Sequence, residues 1–218
     1  MKIILLIICL FMAVWIHAQT APFQNDISAF KKEDSLHAPA KNAILFVGSS
    51  SFRMWSDVQS YFPDYPIINR GFGGSQLPDV IRFAPDIIYP YQPKQVVIYC
   101  GDNDLAADSS LSGKDVSDRF TTLYQLIRKN LGKKVNVVFV SIKPSPSRTN
   151  LLPKMIVANT LIEQYLSKEK NTVFVDVFHP MLDADGKMRP ELYKEDMLHM
   201  KPEGYAIWKK ALEPYLLR

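Results

Sequence analysis

The chain has 218 residues, of which 47% are hydrophobic and 22% charged, and its formal net charge is +4. That length suffices for one well-buried domain, and the composition excludes a disordered chain or a multi-span membrane protein. No run of Lys and Arg is dense enough for nucleic-acid binding, and Lys31-Lys32 and Lys133-Lys134 read as solvated surface.

Residues 1–18 carry one positive charge, Lys2, and then an apolar run too short to span a bilayer comfortably. They read as a secretory signal peptide cleaved after Ala18, giving a periplasmic or extracellular protein with no stable membrane span. An uncleaved anchor is the competing reading. Ile8, where a small residue is wanted before Cys9, argues against a lipoprotein. Cleavage removes one lysine and no acid, which leaves +3, and it leaves Cys100 as the remaining cysteine, so no intrachain disulfide can form.

Residues 19–41 are polar, contain Pro22 and Pro39, and show no strong period; they read as a tail or an outer helix. Ala43 to Val47 is an apolar run rich in β-branched and aromatic side chains that ends in Gly48-Ser49-Ser50-Ser51, the pattern of a buried strand, a tight turn and a helix start. In an α/β protein ligands bind at such turns, so a serine here is a candidate nucleophile; the alternative is a helix cap. Phe52 to Tyr61 then reads as a short helix and Tyr65 to Asn69 as a second strand. Arg70-Gly71-Phe72-Gly73-Gly74-Ser75 follows, a loop whose three glycines permit positive φ and close approach of backbone to a ligand.

Leu77 to about Ile88 has helical spacing interrupted at Pro85, and Lys94 to Cys100 is a strand of buried type that runs into Gly101-Asp102-Asn103-Asp104. Ser112 caps a helix with Val116, Phe120, Leu123, Ile127 and Leu131 on one face and Gly132 at its end. Val135 to Ser141 is the fourth strand, a helix runs from near Pro153 to about Lys168, and Thr172 to Val177 is the fifth strand. Asp183-Ala184-Asp185-Gly186 reads as a hairpin turn, since the later ligands of a calcium loop are missing. Pro202 opens a last helix with Tyr205, Trp208, Leu212 and Leu216 on one face. Strands alternating with helices imply an α/β fold, a parallel sheet with helices on both faces and the functional rim at the strands' carboxyl ends.

Three strand ends bring the serines, the glycine loop and Asn103 to that rim, the ingredients of acyl transfer. The base must be a histidine. His37 lies in the weakly patterned N-terminal segment, whereas His179 and His199 each follow an aspartate by three residues. Asp176 is read as part of a strand, where residues three apart face opposite ways, so Asp176 and His179 are not expected to meet. Asp196 and His199 lie in a loop where contact is free, and His199 is preferred. Spacing alone does not choose among Ser49, Ser50 and Ser51.

Gly48-Ser49-Ser50-Ser51, Asn69 to Gly74, Gly101-Asp102-Asn103-Asp104 and Asp196-Met197-Leu198-His199, each at the expected end of a strand or before a helix, together resemble, in their order, the four blocks of the SGNH/GDSL hydrolase family of esterases and lipases. The resemblance covers roughly Ala43 to Trp208 and marks 42–218 as the hydrolase domain. It implies a flavodoxin-like, three-layer α/β/α sandwich of about five parallel strands, with no metal and no cofactor. It further implies Ser50 as nucleophile, His199 as base, Asp196 as its partner, and an oxyanion hole from the Ser50 and Gly74 N–H groups and the Asn103 amide. Ser49 departs from the family's usual aspartate, at a position outside the triad.

Phe52, Trp55 and Phe72 are candidate pocket residues or packing, and Lys143 and Arg148 are candidate contacts to an acidic or hydroxylated substrate group. The few residues between blocks leave little material for a lid, which points to short acyl chains, acetyl above all, on a small-molecule or carbohydrate ester. A lysophospholipase or thioesterase of the same mechanism is the nearest alternative, and a non-catalytic carbohydrate-binding protein on the same fold is the alternative of another class.

Overall fold

The computed structural model describes residues 21–218, so the segment read as a signal peptide lies outside the described residues. In chain order the elements are α1 (Gln24–Leu36), β1 (Ile44–Gly48), α2 (Ser50–Arg53), α3 (Val58–Tyr61), β2 (Ile67–Gly71), α4 (Leu77–Ile87) and β3 (Gln95–Tyr99). They continue with α5 (Asp102–Ala107), α6 (Gly113–Leu131), β4 (Asn136–Val140), α7 (Leu152–Leu166), β5 (Thr172–Val175) and α8 (Pro202–Leu212).

The five strands pair in the order β2-β1-β3-β4-β5, every pair parallel, which is the flavodoxin-like order. Alternation along each strand divides the core. Leu45, Val47, Val96, Ile98, Val137 and Phe139 pack against α1, α4, α6 and α7, whereas Ile44, Phe46, Val97, Tyr99, Val138 and Val140 pack against α2, α3 and α8. Strands buried on both faces carry no polar alternation, and β1 and β3 are buried along their whole length. The chain is a three-layer α/β/α sandwich.

Local chemistry fixes the helix ends. In α6 the Asp115 N–H donates to Ser112 Oγ and the Ser112 N–H to Asp115 Oδ2, and Gly132 at φ +83° closes the helix. Pro202 begins α8, where its missing N–H has no intrahelical partner to lose. α4 runs through Pro85, so the interruption read there does not occur: the residue stands in the last turn, where only one backbone bond is forfeited. The helix read over Phe52 to Tyr61 is two short ones, α2 and α3, and the loop opening at Gly101 turns at once into α5. The strand read as Thr172 to Val177 stops at Val175.

α1 lies on the α4 side of the sheet. Ile27 is buried in the core, the Phe23 ring meets Phe72 edge-on at 5.2 Å, and buried Arg70 on β2 pairs with Asp34 and, at 3.2 Å, with Glu33. Tyr91 completes the cluster, donating to Asp34 at 2.5 Å and accepting from Arg70 at 2.7 Å. The anchoring thus combines apolar contacts with ion pairs at a buried guanidinium.

At the end of β1, Gly48 has φ +138°, and a Cβ there would stand 1.8 Å from the Tyr99 carbonyl oxygen. Gly48→Ala combines a forbidden backbone angle with a backbone collision on a central strand. It is expected to lower the free energy of unfolding by at least about 3 kcal/mol, read from urea denaturation; wild-type stability would show that β1 and β3 part without cost.

Candidate active site

Ser50 is the first residue of α2, just past the turn that Gly48 makes. The turn is tied from three sides: the Ser49 N–H donates to Tyr99 O at 3.0 Å, while Gly48 O accepts from the Phe72 N–H at 2.9 Å and from Ser75 Oγ at 3.1 Å. Asn69 pins the other side, donating from Nδ2 to Phe52 O at 2.7 Å and accepting from the Gly71 N–H at 3.0 Å. These bonds hold the Ser50 Cα against both neighbouring strand ends. Ser49 is buried and Ser50 is not, so the turn presents one serine of the first two.

Across the rim, Ser50 Oγ lies 3.0 Å from His199 Nε2, and His199 Nδ1 lies 2.5 Å from Asp196 Oδ2. The carboxylate accepts from Nδ1, which leaves Nε2 free to accept the serine proton. The other carboxylate oxygen accepts from the Leu198 and His199 N–H groups at 3.0 and 2.9 Å. Partial burial pushes the Asp196 carboxyl up, but these bonds to His199 and Leu198 outweigh it and bring its pKa down to about 2. Met197 takes φ +52°, and its carbonyl accepts from both the N–H and the hydroxyl of Ser147, which clamps the loop onto the segment after β4.

Asp176 and His179 meet as well, with Oδ2 2.7 Å from Nδ1, contrary to the expectation from a strand. Because β5 ends at Val175, Asp176 stands in a turn, and its Oδ1 accepts from the Phe178 and His179 N–H groups. The His179 side chain is 78% exposed, however, against 21% for His199, and no serine hydroxyl bonds to it among the described residues.

Gly74, at φ +77°, and Asn103, in the first turn of α5, line the same cavity as Ser50 and His199, a space of about 570 Å³. Asn103 Nδ2 donates to Ser75 O at 3.0 Å, and its Oδ1 accepts from Arg148 Nη2 at 2.8 Å. With the amide oxygen held by a guanidinium, the amide cannot flip, and its N–H₂ is kept on the glycine-loop side. Arg148 is itself held by buried Asp102, 3.0 Å from Nη1. Beside them Asp104 accepts from the Leu77 N–H at 3.0 Å and pairs with Arg119 at 2.7 Å, fastening α5 to the start of α4 and to α6.

The GDSL-like lipase/acylhydrolase family model matches residues 40–207, a span that contains every residue of this cavity. The chain belongs to the GDSL-like lipase/acylhydrolase family. Solved structures share its fold. A GDSL-like lipase from Bacteroides thetaiotaomicron is 24% identical, with 86% of this chain and 95% of that one covered at a TM-score of 0.72. A protein from Streptococcus pneumonia described as a platelet activating factor is 21% identical, with 89% and 92% covered at 0.76. A variant of an acetylxylan esterase from Geobacillus stearothermophilus is 14% identical, with 83% and 96% covered at 0.63. No curated protein sequence matches the chain.

In this GDSL-family chain the aromatic candidates fall elsewhere. Phe52 and Trp55 are fully buried among Phe46, Phe62 and Trp208, and Phe72 is fully buried between Phe23 and Phe83, so none lines the cavity. Each stands beside a core strand, and core packing took it. Lys143 is also buried, donating to Ser145 Oγ at 2.9 Å with Asp102 at 3.8 Å, and does not reach a substrate. Of the five pocket and substrate-contact candidates only Arg148 lines the cavity. Arg53, Met54 and Leu198 line it too and were not read from the sequence. Helical spacing carried the signal for Arg53, which follows Ser50 by three residues. The Asp183 turn is a hairpin closed by the Leu182–Met188 bridge, with Asp183 Oδ1 accepting from the Asp185 and Lys187 N–H groups.

Burial pulls the Lys143 ammonium down to about 8, with Asp102 opposing and Arg148 assisting the shift. The unfolded chain holds that proton up to about 10.5, so between these values the folded state binds fewer protons and stability gains with pH. The unfolding free energy of wild type relative to Lys143→Met is expected to be lowest below pH 8 and to climb through that window. Denaturant titrations at several pH values check this; a flat difference would mean that the buried amine keeps its proton.

Proposed function

We propose that this protein is an exported serine esterase that removes a short acyl group, acetyl above all, from an oxygen ester of a small molecule or carbohydrate. The observation that carries the reading is the unbroken series Ser50 Oγ, His199 Nε2, His199 Nδ1 and Asp196 Oδ2, at 3.0 and 2.5 Å, opening on a cavity that also holds Gly74 and Asn103.

The chemistry runs in two halves. Ser50 Oγ attacks the ester carbonyl as its proton passes to His199 Nε2, and the oxyanion that forms accepts from the Ser50 and Gly74 N–H groups and from Asn103 Nδ2. The carbon–oxygen bond to the leaving alcohol breaks, and His199 returns the proton to that alcohol. Water then attacks the acyl-serine with His199 again as base, releasing the acid and restoring Ser50. Asp196 keeps Nδ1 protonated and stabilises the imidazolium throughout.

Short acyl chains are favoured because the cavity's apolar lining amounts to Met54 and Leu198, too little to bury a fatty chain. Acetylxylan esterases among the structures of like fold support acetyl on a carbohydrate as the first class to try. The leader-like residues 1–18 support export. No helix among the described residues is long and apolar enough to cross a membrane.

Wild type is expected to turn over 4-nitrophenyl acetate, with Ser50→Ala inactive. Equal rates for the two would sink the assignment. Asn103→Ala is expected to fold normally and to lose roughly 10²–10³ in kcat, the usual loss for one oxyanion donor. A change confined to KM would make Asn103 a substrate-positioning group instead.

A further inference from the structure

The cavity beside Ser50 is lined by two arginines and by no carboxylate. The two are in opposite states. Arg148 is committed: Nη2 donates to Asn103 Oδ1, Nη1 faces Asp102 at 3.0 Å, and only 15% of the side chain is exposed. Arg53 is 58% exposed, its guanidinium makes no hydrogen bond among the described residues, and its one acidic neighbour, Asp26 on α1, stands 3.9 Å away, at the limit of an ion pair.

The place of this weakly paired guanidinium is built. Ser50 and Arg53 are three apart in α2, hence neighbours on one helix face. Arg53 then lies across Gly73: a Cβ at that glycine would come within 2.5 Å of Nη1, so the absence of a side chain there makes room for the cation. The guanidinium is therefore part of the cavity wall, between the serine and the loop that carries Gly74. The charges behind the wall do not cancel it. Asp102 is shared by Arg148 at 3.0 Å and Lys143 at 3.8 Å, one carboxylate for two cations, while Asp104 is paired with Arg119, and Asp196 is taken up by hydrogen bonds from His199 and Leu198 and does not line the cavity.

We propose that the ester this site takes carries an anionic group, a carboxylate or a phosphate, next to the scissile bond, and that Arg53 binds it. The inference rests on the esterase reading and names its substrate class. A guanidinium presents two parallel N–H donors that match a carboxylate or phosphate edge, and a cavity without a carboxylate of its own leaves that fork for the ligand. A neutral polyol would accept the same N–H groups but gain less, having no charge to pair with the guanidinium.

Acetyl esters of three matched sugars test it: a neutral methyl glucoside, glucuronic acid and glucose 6-phosphate. Wild type is expected to show kcat/KM higher by roughly tenfold or more on the better anionic ester than on the neutral one, about what one charge-assisted hydrogen bond is worth. That preference shrinks with added salt. Arg53→Gln is expected to remove most of it, chiefly through KM, and Arg53→Lys to keep part. The larger anionic preference tells carboxylate from phosphate. Equal kcat/KM on charged and neutral esters, or a preference that Arg53→Gln leaves intact, overturns the proposal.

A binding arm separates this from the esterase reading. Calorimetry on Ser50→Ala is expected to give tighter binding of acetylated glucuronate than of the neutral ester, and the double variant with Arg53→Gln to lose that difference. Identical affinities in the two backgrounds overturn the anion site even if hydrolysis proceeds. A wild type that hydrolyses none of the esters yet binds the acidic one through Arg53 would overturn the esterase reading alone.

Discussion

At the end of β1 there is no room for a side chain. The Tyr99 carbonyl of the neighbouring strand occupies the space a Cβ at residue 48 would need, and the same carbonyl accepts the N–H of Ser49. The Gly48 carbonyl in turn receives Phe72 N–H and Ser75 Oγ from the loop after β2. One glycine thus locks three strand ends to one another, and everything at the rim inherits its position from that knot. In a sheet of order β2-β1-β3-β4-β5 the first strand lies between the second and the third, so the loops after those three are adjacent by topology. The close contact converts adjacency into register: Ser50, Gly74 and Asn103 arrive at one cavity from three separate segments.

What distinguishes His199 is position rather than local structure. The turns Asp176 to His179 and Asp196 to His199 are built alike: one carboxylate oxygen accepts from the backbone N–H groups two and three residues on, the other meets Nδ1. An aspartate three residues before a histidine is a self-contained way to orient an imidazole, and it forms wherever the chain leaves regular structure. Chemistry needs the third member. His199 has Ser50 at 3.0 Å because Ser147 and the Tyr193–Met200 bridge hold its loop over the β1 end of the sheet, whereas His179 follows the edge strand β5 and faces outward.

That contrast also shows what the sequence could and could not carry. Strand type, strand order of appearance and the rim are legible, because short apolar runs rich in β-branched residues leave little choice, and Val135 to Ser141 or Lys94 to Cys100 miss the observed bounds by one residue at each end. Asp196 and His199 are legible from their spacing and their place in a loop, but Ser50 only through a resemblance of ordered blocks, since nothing in spacing says which serine emerges from the turn. α1 is hidden because its apolar face is short, Phe23, Ile27 and Phe30, and the rest of its anchoring is ionic, through Arg70, Asp34 and Glu33. Phe52 and Phe72 misled for a related reason: an aromatic beside a candidate nucleophile reads the same whether it faces the ligand or the core, and in a sheet buried on both faces the core claims it.

The polar cluster under Asn103 is a costly arrangement. Asp102, Lys143 and the Tyr99 hydroxyl are buried together, and replacing such a group by well-packed apolar residues usually leaves a protein as stable or more so. Its presence makes sense through Asn103. An apolar floor would leave the amide oxygen unpaired and the amide free to rotate, and in the oxyanion role proposed for it a donor that must reorient as charge develops loses much of its effect. Arg148, held by Asp102, removes that freedom in the resting protein. Arg53 and Arg148, on one cavity, therefore stand for two uses of the same side chain. The guanidinium already neutralised and hydrogen-bonded serves geometry, whereas Arg53, with Asp26 at the 3.9 Å limit of an ion pair, keeps interaction free energy to offer a ligand.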